Sequence, residues 1–102
     1  MKLSDYVIEK LAEAGAEHVF YLPGGGAMHL VDSLGRAQNI EAVCCLHEQA
    51  AAIAAEAYSR VTGGIGVALV TTGPGGTNAI TGLAGAWIES TPTVFISGQV
   101  KR

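Results

Sequence analysis

The chain has 102 residues, which is enough for one small domain and too few for two. Hydrophobic residues make up 49% of it and charged residues only 15%, so we expect a partner to cover part of the surface. The net charge is −3, and the only basic cluster is the terminal pair Lys101 and Arg102, which disfavours nucleic-acid binding. No apolar run reaches the roughly 18 residues that cross a bilayer, so no membrane partner is expected.

Two features favour a cytoplasmic protein. Asp5 stands where a secretory signal peptide would begin its apolar core. The only cysteines, Cys44 and Cys45, are adjacent and poorly placed for a disulfide, which fits a reducing compartment. We expect both to be buried and inert. A metal site built on Cys45 and His47 would lack two further ligands at a recognisable spacing, so no metal ligand is predicted.

Helices and strands alternate along the chain. The predicted helices are 4–14, 27–34, 48–61 and about 77–89, and the predicted strands are 18–22, 40–46, 66–71 and 93–97. Ser4 can cap the first helix, and Gly15 can end it. Clusters of glycine and proline separate the elements, with Pro23 and Pro74 each following a strand.

This alternation predicts an α/β fold: a parallel sheet of about four strands with helices on both faces, a flavodoxin-like three-layer sandwich. The predicted strands are nearly continuous apolar runs, as in a parallel sheet that is buried on both sides. Doubly wound domains usually have about five or six strands, and no helix follows the fourth strand here. We therefore expect residues 1–102 to be a single domain that is incomplete at its C-terminus.

Three strand-to-helix loops are predicted at the carboxyl edge of this sheet, where α/β proteins bind ligands. They comprise residues 22–26, 47–49 and 72–78; two are rich in glycine and one carries Glu48. A phosphate-binding P-loop is excluded because no Gly-Lys-Ser/Thr ending occurs. A dinucleotide fingerprint is disfavoured because His29 and Asn78 stand where a small residue is required.

Glu48 has two interpretations from the residues alone. It can be a first-turn acid that gains from the helix dipole. Alternatively, the apolar strand before it and the alanine-rich helix after it form a water-poor pocket, in which a carboxylic acid can hold or share a proton with a ligand nitrogen.

The helix at 48–61 is apolar on nearly all sides, and the last helix carries Gly82, Ala84, Gly85 and Ala86. One side of each helix could pack on the sheet and the other on a second subunit. The alternative is that the alanines favour the helix and pack tightly on the sheet.

Four segments, in this order, resemble the N-terminal pyrimidine-binding (PYR) domain of thiamine-diphosphate-dependent enzymes, in the acetolactate synthase-like branch. They are "HVFYLPGG", "LHEQAAAIAAEAYSRVTG", "VTTGPGGTNAITGLAGAW" and "PTVFISGQV". The resemblance implies that Glu48 hydrogen-bonds N1′ of the aminopyrimidine ring and so promotes loss of the C2 proton from the thiazolium ring. It also implies decarboxylation of a 2-keto acid and transfer of the acyl carbanion to an acceptor, as in a transferase or lyase.

The resemblance assigns further residues by matching positions. Pro23 and Gly24 match the loop beside the pyrimidine, and Gly25 matches a position that faces the substrate. The third loop matches residues that pack around the pyrimidine: Thr72, Gly73, Pro74, Gly75 and Asn78. Gln49 and His47 flank Glu48 as in family members, and we expect structural roles for them; His29 is expected at the surface.

The resemblance also implies parts that this sequence does not contain. In the family, Mg²⁺ and the diphosphate are held by a diphosphate-binding (PP) domain through a Gly-Asp-Gly…Asn motif, and no Gly-Asp-Gly occurs here. The family's active site lies between two chains, so a homodimer or higher homo-oligomer is implied. Two hypotheses from different classes remain: the pyrimidine half of an enzyme, or a non-catalytic interaction or ligand-binding module. An unrelated flavodoxin-like domain is the third.

Overall fold

A parallel sheet of four strands forms the centre of the structure, a computed structural model that describes residues 1–100. The strands are β1 (His18–Tyr21), β2 (Glu41–Cys44), β3 (Gly66–Val70) and β4 (Thr93–Ser97). Their order is β2-β1-β3-β4, and each neighbouring pair is parallel. The predicted parallel α/β sheet is therefore confirmed. The terminal basic pair, Lys101 and Arg102, lies outside the described residues.

One α-helix precedes the first strand, and four further α-helices and one 3₁₀ turn connect the described strands. The helices are α1 (Leu3–Glu13), α2 (Met28–Arg36), α3 (Glu48–Thr62), α4 (Pro74–Asn78) and α5 (Ile80–Ile88), and the 3₁₀ turn is Gly25–Ala27. Helix α3 ends where predicted, because Gly63 adopts a left-handed φ of 74° and donates its N–H to the carbonyl of Ser59.

The sheet is covered on both faces, as predicted. On one face, Ile8 of α1 and Leu34 of α2 pack with Val67 and Leu69 of β3. On the other face, Ala52 of α3 packs with strand residues including Val70. Successive side chains of a strand point to opposite faces, so β3 serves both cores, and all five of its residues are buried.

The boundaries of two helices differ from the prediction. Ser4 does not cap α1: the helix begins at Leu3, and the buried Ser4 hydroxyl instead shares a hydrogen bond of 2.8 Å with the Ser33 hydroxyl of α2. The last predicted helix begins at Pro74, not near Thr77, and it is interrupted at Ala79 between α4 and α5. Proline suits the first turn of a helix because its missing N–H would have no partner there.

The prediction that both cysteines are buried is wrong for Cys44. Strand β2 has a neighbour on one side only, and Glu41, Ala42 and Cys44 are exposed within it. Cys45 is half-buried, and burial, followed by the neighbouring Cys44, raises the pKa of its thiol. A raised thiol pKa reduces the thiolate fraction, so Cys45 is a poor nucleophile at neutral pH.

Candidate cofactor-binding site

The three loops that the sequence places on one rim meet at the carboxyl edge of the sheet. Because all described strand pairs are parallel, the loops after β1, β2 and β3 leave the sheet at the same edge. Strands β1 and β3 are neighbours, whereas β2 lies on the far side of β1. The chain thus changes direction across the sheet between β1 and β3, which is the switch point where open α/β sheets bind ligands.

Glu48 is the first residue of α3 and is half-buried. Its Oε1 accepts a hydrogen bond of 3.2 Å from Nδ2 of Asn78, at the end of α4. Its Oε2 lies 3.8 Å from the point where a Cβ at Gly75 would stand. Three residues predicted for the site, Glu48, Gly75 and Asn78, are therefore brought together.

The carboxyl group of Glu48 keeps acceptor capacity. Within residues 1–100, Asn78 is the only side chain that forms a hydrogen bond with it, and that bond uses Oε1. A carboxyl group offers two oxygens with about four lone-pair sites, so Oε2 can still bind a ligand. When ionised, this oxygen can accept a hydrogen bond from a ligand N–H. When protonated, it can donate one to a ring nitrogen.

His47 shapes the loop that presents Glu48. It is the N-cap of α3, with an extended backbone, and its Nδ1 accepts a hydrogen bond of 3.0 Å from the backbone N–H of Gln49. This bond satisfies one of the free N–H groups at the start of the helix. His29 on α2 is exposed, as predicted, and Gln49 is also exposed. These contacts agree with a structural role for His47.

The turn after β3 has an unusual backbone. Gly73 adopts φ 60° and ψ −122°, a conformation that side chains with a Cβ rarely adopt. Two backbone hydrogen bonds close the turn: Gly75 N–H to the carbonyl of Thr72 at 3.2 Å, and Thr77 N–H to the carbonyl of Gly73 at 3.0 Å. Gly75 is buried and Thr72 half-buried, whereas Gly73 and Pro74 are exposed.

The turn after β1 contacts the start of the turn after β3 through Gly24 and Gly26. The backbone N–H of Gly26 donates to Oγ1 of Thr71 at 3.1 Å. A side chain at Gly24 would overlap Thr71, and one at Gly26 would overlap Thr72. Glycine at these two positions therefore allows the turns to touch. Thr71 was not predicted as a site residue, and no motif in the sequence singled it out.

Pro23 and Gly25 border a groove beside α2. With Gly24 and three residues of α2 they line an open groove of about 380 Å³: Met28, Val31 and Asp32. A Cβ at Gly25 would meet no atom within 4 Å. Within the described chain, Gly25 therefore borders open space and does not contact the Glu48 cluster.

No group of three or more His, Cys, Asp or Glu side chains within residues 1–100 is arranged to hold a metal ion. No described helix combines the length and apolar character needed to span a bilayer.

Two glycine turns and a half-buried acid thus meet at the carboxyl edge of the sheet, which is where open α/β domains bind ligands. The family model described as "Thiamine pyrophosphate enzyme, N-terminal TPP binding domain" matches residues 1–102, and the chain belongs to this family. The predicted resemblance is thereby confirmed.

Curated relatives agree with this assignment. The chain is 48% identical over 97 residues to the acetolactate synthase large subunit of Buchnera aphidicola subsp. Schizaphis graminum, covering 95% of this chain and 17% of the relative. It is 45% identical over 97 residues to acetolactate synthase isozyme 3 large subunit of Escherichia coli, with the same coverage. It is 46% identical over 101 residues to chloroplastic acetolactate synthase 2 of Nicotiana tabacum, covering 99% of this chain. The chain thus spans 15–17% of the length of these relatives.

Proposed function

We propose that the chain supplies the pyrimidine-binding half of a thiamine diphosphate site, with Glu48 as its catalytic acid. The environment of the Glu48 carboxyl group supports this proposal. Glu48 is half-buried, Asn78 orients the carboxyl group through Oε1, and Oε2 beside Gly75 forms no hydrogen bond within the described residues. An acid that shares a proton with a ring nitrogen needs both a fixed orientation and limited access of water.

The other residues give this carboxyl group its surroundings. Asn78 orients the carboxyl group by donating to Oε1, which leaves the lone pairs of Oε2 available to a ligand. Gly24 and Gly75 lack a Cβ, which lets both turns pack closely around Thr71. Pro23, Thr72, Gly73 and Pro74 complete the two turns as rigid walls, as the family resemblance implies. When bound, thiamine diphosphate supplies the carbon that attacks a 2-keto acid and stabilises the charge left by decarboxylation.

We infer that the complete protein decarboxylates a 2-keto acid and transfers the acyl group, as a transferase or lyase related to acetolactate synthase. Gly25 is the proposed substrate-facing residue, and its open surroundings support this role. We infer that residues 1–102 belong to a PYR domain in a longer cytoplasmic protein. Its PP domain, in the same or another chain, would hold the diphosphate and Mg²⁺.

A homodimer or higher homo-oligomer is the proposed assembly. Helix α5 exposes four large apolar side chains: Ile80, Leu83, Trp87 and Ile88. Trp87 is 84% exposed and Ile88 76%, which is an unfavourable state for side chains of this size unless a partner covers them. The same surface is the observation that favours the alternative function, a non-catalytic interaction module.

Substitution of Glu48 by Gln in the complete protein tests the proposed function. The amide keeps the shape but cannot exchange a proton with the ring nitrogen, so hydrogen–deuterium exchange at C2 of bound thiamine diphosphate is expected to slow by about 10²- to 10⁴-fold. The measurement is proton NMR of the cofactor after timed acid quenching.

Glu17→Gln is the matched control, because Glu17 is an exposed acid that precedes β1 at the opposite edge of the sheet. It is expected to exchange at the wild-type rate. An unchanged rate in Glu48→Gln would favour the interaction module or an unrelated α/β domain.

A further inference from the structure

Thr71 touches both glycine turns of the site. It directly follows β3 and is half-buried. Its Oγ1 accepts the hydrogen bond of 3.1 Å from the backbone N–H of Gly26. Its Cγ2 lies 2.8 Å from the point where a Cβ at Gly75 would stand, and its Cβ and both γ atoms occupy the space that a side chain at Gly24 would need. One side chain thus lies between Gly24 of the turn after β1 and Gly75 of the turn after β3.

The hydroxyl and the methyl group of Thr71 have different tasks. The hydroxyl gives Gly26 N–H a partner, and this N–H lies in the first turns of the 3₁₀ and α2 segment, where backbone donors have no intrahelical acceptor. The methyl group lies beside Gly75, which in turn lies beside Oε2 of Glu48. Thr71 therefore links the first turn to the neighbourhood of the acid without touching the acid.

The position of Thr71 is itself fixed by β4, the neighbour of β3 on the side away from β1. The Ser97 hydroxyl at the end of β4 is 3.2 Å from the backbone carbonyls of both Thr71 and Gly98, so its proton is shared between them. The N–H of Gly98 donates to the carbonyl of Val70 at 2.9 Å. These bonds leave Thr71 little freedom to follow a displaced turn.

We propose that Thr71 is a positioning residue that holds the two glycine turns at the separation required by the pyrimidine ring. This inference rests on the proposed function and deepens it. The geometry is formed within the chain itself, so the ring-binding surface is preorganised before a ligand arrives. Thr71 acts through Gly26 and Gly75, and it is not a catalytic residue.

Two substitutions separate the two groups of the side chain. Thr71→Val keeps the shape and removes the acceptor of the Gly26 N–H, whereas Thr71→Ser keeps the acceptor and removes the methyl group. In the complete protein, Thr71→Val is expected to raise the Kd for thiamine diphosphate roughly tenfold, the size of one lost hydrogen bond. Thr71→Ser is expected to restore most of the affinity. The measurement is calorimetric titration with thiamine diphosphate in the presence of Mg²⁺.

Inorganic diphosphate with Mg²⁺ is the second probe, because it carries no pyrimidine ring. Its affinity is expected to be the same in the wild type and in Thr71→Val. Equal weakening for both probes would show a general loss of structure and overturn the positioning role.

Thr62→Val is the matched control substitution. Thr62 at the end of α3 accepts the same kind of bond, from the backbone N–H of Gly64 at 3.1 Å, but at the opposite end of that helix from Glu48. Its loss is expected to leave the affinity for thiamine diphosphate unchanged. An equal loss in Thr62→Val and Thr71→Val would contradict the proposal.

Backbone hydrogen exchange tests Thr71 without a cofactor. In the ligand-free protein, the Gly26 amide is expected to exchange faster in Thr71→Val and at the wild-type rate in Thr71→Ser. Equal exchange in all three proteins would overturn the inference and leave the proposed function intact. Absence of thiamine diphosphate binding in the wild type would overturn the proposed function and, with it, the role of Thr71.

Discussion

Gly73 is the residue at which the candidate site depends most directly on backbone conformation. Its φ of 60° with ψ −122° belongs to a region that only glycine visits readily. A Cβ at this position would meet no atom within 4 Å, so the cost of a side chain arises from the backbone alone. We expect Gly73→Ala to lower the free energy of unfolding by about 1–3 kcal/mol. Urea denaturation of the chain, followed by far-ultraviolet circular dichroism, measures this.

Gly25→Ala is the matched comparison for that experiment. A Cβ at Gly25 also meets open space, and its φ is outside the left-handed region. Its free energy of unfolding should therefore stay within about 0.5 kcal/mol of the wild type. If both variants were equally stable, the turn would not depend on the conformation of Gly73.

Single residues also mark the limit of what the sequence could predict about the site. Glu48 was predicted from its place after a strand together with the family resemblance, and Asn78 from the resemblance; their contact shows that the two loops converge. Thr71 was missed because its importance depends on contacts with glycines far away in the chain. Ser4 was assigned to a helix cap, the commonest local role of serine, whereas Ser33 of α2 provides its actual partner.

At the scale of elements, a polar cluster joins α1 to α2. Asp5 accepts hydrogen bonds from Ser33 at 2.6 Å and from Arg36 at 2.8 Å. These two hydrogen bonds lower the pKa of Asp5 from its ordinary value of 3.8, and the bond from Ser33 has the larger effect. Arg36 also pairs with Asp32 one turn earlier in α2. The cluster therefore favours the ionised form of Asp5 in the folded chain.

This cluster predicts a loss of stability in acid. Since the pKa of Asp5 is lower in the folded chain, its stabilisation is fully present above pH 3.8 and disappears as the pH falls through the lowered value. Thermal unfolding midpoints measured between neutral pH and about pH 2.5 are expected to fall less steeply in Asp5→Asn than in the wild type.

Glu9→Gln is the control for this loss of stability in acid, because Glu9 is an exposed acid on the same helix. It should keep the pH dependence of the wild type. If the unfolding midpoint of Asp5→Asn fell with pH as steeply as that of the wild type, Asp5 would not be the responsible group.

Elements were predicted well where the pattern is local and poorly where it depends on the position of a strand in the sheet. The order of strands cannot be read from the alternation of helices and strands, so the position of β2 at the edge of the sheet, with Cys44 exposed, was not predictable in this way. The start of α4 was predictable in principle, because Pro74 is a known signal for the first turn.

At the scale of the whole molecule, the exposed face of α5 predicts self-association. Ile80, Leu83, Trp87 and Ile88 form a surface that lies opposite the contacts of Gly82 with α3. We expect the wild type to form a dimer at micromolar concentrations and Leu83→Asp to shift it towards monomer. Light scattering after size-exclusion chromatography measures the mass, and Trp87, the only tryptophan, reports burial of this face by a blue shift of its emission.

Leu3→Asp is the control for this experiment, because Leu3 is 78% exposed on α1, which covers the other face of the sheet. It should associate like the wild type. A wild-type chain that elutes as a clean monomer would count against the association surface.

The isolated chain should bind its cofactor weakly. Under the proposed function, its residues would contact the pyrimidine end only, and the proposed PP domain would hold the diphosphate and Mg²⁺. Titration of the 102-residue chain with thiamine diphosphate and Mg²⁺ is therefore expected to give weak or undetectable binding. Tight, Mg²⁺-dependent binding would show that this chain holds the diphosphate as well.

The strand order has a thermodynamic consequence for the complete protein. Because the turns after β1, β2 and β3 come together only when these three strands are paired, a molecule that bridges the turns cannot remain bound when any one strand detaches. Binding of such a molecule therefore raises the free energy of unfolding of the entire sheet, by about 2.7 kcal/mol when its concentration is a hundredfold above its Kd. Melting curves recorded with pyrimidine analogues would therefore rank their occupancy of this edge without any turnover assay.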